Sequence, residues 1–380
     1  KSNNNCMESN MSKKILILAN NSIGLYKFRV DLIKKLIIDN NEVVLSTLDN
    51  GFIDDFQKIG CKVHLTDVDR RGINPITDLK LYKKYVNLID EEKPDLVITY
   101  TIKSNIYGGM VCRRKKVPYA INITGLGTAF QKDNLLKKLV IKLYKIALKK
   151  AKVVFFENQG NKEIFVKEKI IDDNKCKVLN GAGVNLDYYS VQEYPKNNEV
   201  TRFLFIGRVM KEKGIDELFA VMRRLYSENY NCVLDVVGIS EEDYHDEIDK
   251  GIKEGWLCFH GYQEDVRPFI REANCFVLPS WHEGMANTNL ENASSGRPVI
   301  TSNIFGCKES VIDGVSGLLC EPKNVDSLYS AMVKFLNTDN DDRIKMGLEG
   351  RKHMEEFFQK KKLLLKLVIV CLMINLEVII

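Results

Sequence analysis

The chain has 380 residues, 45% hydrophobic and 28% charged, which is enough apolar surface for two cores of ordinary size. Its formal net charge of +5 is modest and no recognition motif accompanies the lysines, which weighs against nucleic acid as a partner. Ten cysteines are scattered with no C-x-x-C pair and no histidine cluster nearby, which argues against a disulfide scaffold or zinc site and for reduced thiols in a cytosol.

Residues 1–10 are polar and show no signal peptide, so 1–12 read as a disordered extension ahead of a domain that starts near Lys13. Apolar runs at 15–19, 42–46, 62–65, 96–100, 119–123, 153–157 and 177–179 read as strands, and helical periodicity occupies 26–38 and 78–92. That alternation predicts a parallel sheet with helices on both faces over residues 13–190. The turn after the first strand, Asn20-Asn21-Ser22-Ile23-Gly24, lacks G-x-G-x-x-G, which weighs against a nicotinamide or flavin site. Residues 135–150 form a basic amphipathic pattern, suited to an anionic bilayer or equally to a surface helix packed on the sheet.

A polar stretch at 192–200 reads as the interdomain linker, after which the alternation restarts at Phe203. Strands at 203–206, 232–237, 257–259, 275–278, 299–301 and 318–320 predict a second domain of the same α/β kind over 191–350. In the final segment, 351–380, Lys360-Lys361-Lys362 precedes an apolar run broken by Lys366, Asn375 and Glu377, too interrupted for a membrane span. It suits a helix crossing back to the first domain, a membrane foot or an altered reading frame.

Glu283 and Glu291 stand eight residues apart between a buried strand and a helical stretch that ends at Gly296. Eight positions at helical rise span roughly 12 Å, comparable with the distance from sugar to ribose across a nucleotide diphosphate. The intervening backbone of Gly284, Met285, Ala286 and Asn287 would open the helix and aim N–H groups at phosphate or sugar oxygens. Two acids at this spacing also occur on solvated helix faces. Arg208 and Lys213, following Gly207 at a second strand-to-helix turn, would stabilise a departing diphosphate without a metal. Alone, such a pair also reads as a solvated basic turn. His282 would bond a sugar hydroxyl or cap the turn, and Gly261 with Tyr262 would frame a base or fill core.

These motifs, Gly207-Arg208 to Lys213-Gly214 and Glu283 to Glu291 followed by Gly296-Arg297-Pro298, resemble the G-R-x-x-x-x-K-G and E-x7-E signatures of retaining glycosyltransferases of family 4. Gly306-Cys307-Lys308-Glu309 and Gly314-Val315-Ser316-Gly317-Leu318 extend the resemblance, which covers nearly the whole chain. It implies GT-B architecture: two Rossmann-like, doubly wound parallel-sheet domains facing a cleft. It implies a UDP-sugar donor on the second domain, with Glu283 on the sugar hydroxyls, Glu291 on the ribose, Arg208 and Lys213 on the diphosphate, and no other cofactor or metal. Retention of the anomeric configuration is implied by the family.

Asp69-Arg70-Arg71-Gly72-Ile73-Asn74-Pro75, the run from Tyr100 to Gly108, and Thr124-Gly125-Leu126-Gly127 are similar to bacterial enzymes that extend lipid-linked oligosaccharides for capsule, O-antigen or protein glycosylation. That similarity implies a glycan acceptor on undecaprenyl diphosphate and peripheral attachment at the inner face of the cytoplasmic membrane. Acceptor contacts are then expected from Lys103, Asn105, Thr124 and Gly125. Gly24, Lys27 and Arg29 would meet the acceptor diphosphate, or form only a basic first helical turn. Asp67-Val68-Asp69 matches a D-x-D metal pattern at a strand exit and reads as chance. Asn289, Asn292, Ser294 and Ser295 replace small apolar residues usual in the family and are expected to loosen the helix that carries Glu291. A UDP-sugar 2-epimerase of similar layout and a silent sugar-nucleotide-binding subunit are the rival readings.

Overall fold

The computed structural model describes residues 12–67, 74–130, 134–196 and 199–364. The predicted extension up to residue 11, the acceptor-side residues 69–73 and the apolar tail from 365 lie outside the described residues. Within them the chain forms two compact units. One runs to Phe156 and takes in Asn161–Val178; the other comprises Glu157–Gly160 and Leu179–Leu363.

The first unit is a seven-stranded parallel sheet built from β1 (Lys14–Leu18), β2 (Glu42–Thr47), β3 (Lys62–Leu65), β4 (Leu96–Tyr100), β5 (Tyr119–Ile123), β6 (Val153–Phe156) and β7 (Cys176–Val178). Its order is β3-β2-β1-β4-β5-β6-β7, so the strand order reverses between β1 and β4. Central strands such as β4 and β5 are buried along their whole length, as a sheet covered on both faces requires, whereas β3 and β7 at the edges are partly exposed. Helices α1 (Ser22–Ile38), α2 (Ile53–Lys58), α3 (Pro75–Glu92), α4 (Gly109–Lys115), α5 (Leu135–Leu148) and α6 (Gln159–Lys167) connect the strands. Asparagines set several starts: Asn21, Asn74 and Asn134 accept from Gly24, Ile76 and Lys137 N–H groups at α1, α3 and α5. A turn of π-helix at Ser104–Gly108 runs directly into α4.

The second unit has six parallel strands, β8 (Thr201–Ile206), β9 (Cys232–Val237), β10 (Leu257–Phe259), β11 (Cys275–Leu278), β12 (Val299–Ser302) and β13 (Gly317–Cys320), in the order β10-β9-β8-β11-β12-β13. Helices α7 (Ile215–Ser227), α8 (His245–Glu254), α9 (Arg267–Glu272), α10 (Asn287–Ser294), α11 (Val325–Leu336) and α12 (Asn340–Phe357) complete it. The polar stretch from residue 192 lies on this unit, and the buried Arg297 is the reason. Its guanidinium donates to the carbonyls of Gln192, Glu193, Ile270 and Arg271, and the Tyr194 hydroxyl donates to the Asn274 carbonyl. Burial pulls the Arg297 guanidinium down to about 10, with Tyr194 and Glu272 opposing it only in part.

One ionic cluster ties α3 to the sheet edge. Glu92, 3% exposed, accepts from Lys62 Nζ at 2.6 Å, His64 Nε2 at 2.7 Å and Lys14 Nζ at 3.3 Å. His64, Glu91 and Glu92 come together as metal ligands would, but both lysines already crowd Glu92. Burial pushes the Glu92 carboxyl up, and the hydrogen bonds from Lys62, His64 and Lys14 outweigh it, leaving it lowered from 4.5 to about 2. A depressed folded-state value adds stability above the unfolded value that is lost as pH falls. Resistance to thermal unfolding should therefore fall as pH drops from about 4.5 to about 2. Glu92→Gln should flatten that part of the profile and cost about 1–3 kcal/mol at pH 7, checked by melting curves across pH.

Candidate active site

In the second sheet the strand order reverses between β8 and β11, and loops leaving the carboxyl ends at such a point form the ligand crevice of open α/β sheets. The register Phe203↔Cys275 and Leu204↔Phe276 brings the loop after β8 beside the loop after β11. The first loop carries Gly207, Arg208 and a 3₁₀ turn, Lys211–Lys213, ended by Gly214 at φ +74°. A Cβ at Gly214 would lie 2.1 Å from the Pro279 carbonyl oxygen, so only glycine lets the two loops approach this closely. Beyond that contact, Trp281 N–H and Ser280 Oγ both donate to the Glu212 carbonyl, at 3.0 and 3.2 Å.

This junction places Lys213 against Glu283: the ammonium donates to Glu283 Oε1 at 2.5 Å, with both side chains mostly buried. Arg208 turns elsewhere, donating to Glu241 Oε2 at 2.8 Å. Glu241 follows β9 and carried no sequence signal, because its role depends on a neighbouring strand. Gly207 N–H donates to the Val237 carbonyl, the Gly261 carbonyl accepts from Gly238 N–H, and Tyr262 beside it is 62% exposed. His282 Nε2 stands 3.6 Å from Glu212 Oε2. Its neighbour Trp281 donates through Nε1 to Glu217 and lies under the Lys323 ammonium at 4.4 Å.

The span expected between the two glutamates needs correction. Residues 283–286 are not helical and α10 begins only at Asn287, so a helical rise over all eight positions does not apply. The backbone between them is also less open than expected. Ala286 N–H donates to the Gly306 carbonyl at 2.7 Å and Asn287 N–H to that of Met285, so these two N–H groups are already engaged within the chain. Met285 and Ala286 are buried, with the Met285 side chain lying directly over Gly181.

The polar residues at the end of α10 are tied by their donors, while the amide oxygens of Asn289 and Asn292 are buried without a hydrogen bond among the described residues. Asn289 donates to Thr301 Oγ1 and Ser310 Oγ, Asn292 to the Thr288 carbonyl, Ser294 to the Tyr189 carbonyl and Ser295 to the Glu291 carbonyl. All four are buried, and their bonds carry α10 onto β12 and the segment after residue 179. Glu291 projects from this helix against Tyr189. Burial pushes the Tyr189 hydroxyl up, and the charge and hydrogen bond of Glu291 push it further.

The expected acceptor residues are all in the first unit, at or near the reversal between β1 and β4. Gly24 starts α1 and donates to Asn21 Oδ1, while Lys27 is exposed one turn on. Arg29 is buried with its guanidinium over the Tyr100 ring at 5.2 Å. Lys103 is paired with Asp78 at 2.7 Å. Asn105 is buried, accepting from Thr99 and donating to the Asn122 carbonyl. Thr124 and Gly125 are half-buried, and a Cβ on Gly125 would meet open space. Thr101, between β4 and the π turn, sits at φ +74°, costly for a β-branched residue and concentrated at functional sites.

Two doubly wound parallel sheets, with a Lys–Glu pair at the reversal point of the second, define a glycosyltransferase of GT-B architecture. The family described as "Glycosyl transferases group 1" matches residues 200–338 and "Glycosyl transferase 4-like" matches residues 14–158, so each unit carries a glycosyltransferase domain. It is 25% identical over 351 residues to the N,N'-diacetylbacillosaminyl-diphospho-undecaprenol alpha-1,3-N-acetylgalactosaminyltransferase of Campylobacter jejuni, covering 88% of this chain and 92% of that one. It is 27% identical over 329 residues to the UDP-Gal:alpha-D-GlcNAc-diphosphoundecaprenol alpha-1,3-galactosyltransferase of Escherichia coli, covering 80% and 83%. Anabaena HepE, crystallised with UDP and glucose, superposes with a TM-score of 0.76 at 17% identity over 94% of this chain and 98% of that one.

Gly306 lies at φ +90°, and a Cβ there would fall 2.7 Å from the Glu283 carbonyl oxygen and 2.8 Å from that of Gly284. Gly306→Ala must therefore push the Glu283 loop away. A glycosyl-transfer assay should show turnover down by about a hundredfold, with the far-ultraviolet spectrum retained, because displacements near 1 Å have that effect.

Proposed function

We propose that this enzyme moves a hexose, N-acetylhexosamine or hexuronic acid from a UDP-sugar to a hydroxyl of a glycan carried on polyprenyl diphosphate, with retention and without a metal. The observation that carries the reading is the Lys213–Glu283 pair at the reversal point of the second sheet. Glu283 holds the donor sugar's hydroxyls, Glu291 the ribose, and Arg208 with Lys213 the diphosphate. Tyr262 and His282, both exposed, offer contacts to the base and sugar. In the transfer the bond from the anomeric carbon to the β-phosphate oxygen breaks and the acceptor oxygen bonds that carbon. The acceptor proton passes to the departing phosphate while the two cations offset its growing charge.

The named activities of the Campylobacter and Escherichia relatives, both on diphospho-undecaprenol substrates, support the acceptor class. The first unit is assigned to that acceptor and the second to the donor. The site of action is the inner face of the cytoplasmic membrane, with the protein attached peripherally. Helix α5 supports that attachment: Leu135, Leu139 and Ile146 are exposed on the same stripe as Lys138, Lys142 and Lys145. No helix among the described residues is long and apolar enough to cross a membrane.

The reading is tested by incubating the protein with a panel of UDP-sugars and lipid-diphosphate acceptors in EDTA. Transfer to the acceptor supports it, whereas sugar interconversion or binding alone refutes it. Lys213→Ala should lower turnover at least about a hundredfold at saturating donor, since one preorganised donor to a developing anion contributes about 2.7–4 kcal/mol. For the membrane, replacing Lys138, Lys142 and Lys145 with Ala should weaken binding to phosphatidylglycerol vesicles at least about tenfold, as each lysine near an anionic surface adds about 1 kcal/mol. Co-sedimentation measures it.

A further inference from the structure

The Lys213 ammonium fixes one end of the Glu283 side chain; the other end is fixed by the backbone, and that backbone has a holder of its own. Asn158 follows β6 in sequence, yet Glu157–Gly160 packs with the second unit. The residue is 1% exposed, and its Nδ2 donates to the Gly284 carbonyl at 2.6 Å and to the Glu283 carbonyl at 3.3 Å. An amide nitrogen has two hydrogens, and two consecutive carbonyls gathered onto one such group hold the two peptide planes that meet at the Gly284 α-carbon, including the 283–284 plane that follows Glu283. That plane sets the direction in which the Glu283 side chain leaves the chain. Gly306 supports the same segment through its carbonyl and through the close approach of its α-carbon.

We propose that Asn158 is a positioning residue for Glu283. It holds the 283–284 peptide so that the carboxylate meets the donor sugar while Lys213 stays paired to it. This rests on the reading of Glu283 as the group that contacts that sugar. An aspartate is the same size but cannot donate, and it would set its charge against two carbonyl oxygens; an alanine removes the donor and leaves both carbonyls buried without it. The role concerns the sugar end of the donor, so the ribose and phosphate contacts should be spared.

The test compares Asn158→Ala, Asn158→Asp and Glu283→Gln, alone and with Asn158→Ala added to Glu283→Gln. The probes are UDP and the UDP-sugar that the panel shows to be transferred. Asn158→Ala should lower kcat/KM at least about tenfold and weaken UDP-sugar binding, while UDP itself binds within about twofold of the native protein. Asn158→Asp should be worse than alanine. Added to Glu283→Gln, Asn158→Ala should cost less than about threefold more, as expected of two residues acting through one group. Unchanged UDP affinity also establishes that the unit is folded. The role is overturned if Asn158→Ala turns over normally while Glu283→Gln is inactive. Equal losses of UDP and UDP-sugar affinity, or multiplying effects in the double variant, also overturn it. If Glu283→Gln transfers sugar normally, the donor-site reading falls and this role falls with it.

Discussion

The second unit depends on one close approach, that of Gly214 to the Pro279 carbonyl at the ends of β8 and β11. Parallel strands that reverse order leave two loops side by side, but a ligand site needs those loops at a fixed separation and twist. A glycine at positive φ provides the separation, and the bonds of Ser280 and Trp281 to the Glu212 carbonyl provide the twist. The meeting of Lys213 and Glu283 follows from both. A cation and an anion brought together in a mostly buried place must be held by neighbours, since the desolvation each suffers is returned only by good geometry. Gly306 and Asn158 on the far side of the 283–286 segment serve that need.

The fold was legible because parallel sheets announce themselves. Strands buried on both faces are short unbroken apolar runs, and each strand expected from such a run is present within a few residues of its predicted limits. Less legible were short helices such as α2 and α9, whose six residues hold too few turns for a periodicity to show. Among candidate site residues, the sequence located the two loops by their glycines and charged residues. It did not reveal which partner each charge would choose. Lys213 meets Glu283, but Arg208 meets Glu241, because the loop after β9 lies on the other side of β8. Asn158 had no local signal at all, since its bonds span more than a hundred positions of chain.

Asparagines and serines in α10 show how composition alone misleads. As isolated residues they compete with helix hydrogen bonds and favour ends and turns. In place, two of them bond within the helix and two reach out, to the hydroxyls of Thr301 and Ser310 and to the Tyr189 carbonyl. Arg351 reinforces the same joint by donating to the carbonyls of Leu186, Tyr189 and Ser294. The helix that presents Glu291 is thus held by directional bonds where apolar packing would be the usual means, which fixes its rotation as well as its distance.

The glycine contacts at positions 214 and 306 have a consequence for divergence within such a scaffold. Because carbonyl oxygens stand where a Cβ would have to go, the main chain of the site has almost no freedom to drift. Novelty must enter through side chains that stand on this rigid frame and face outward, as His282 and Tyr262 do. In the proposed donor site, exchanging those would alter what the frame grips without disturbing how it is built, so donor preference could change by single substitutions while the architecture stays constant.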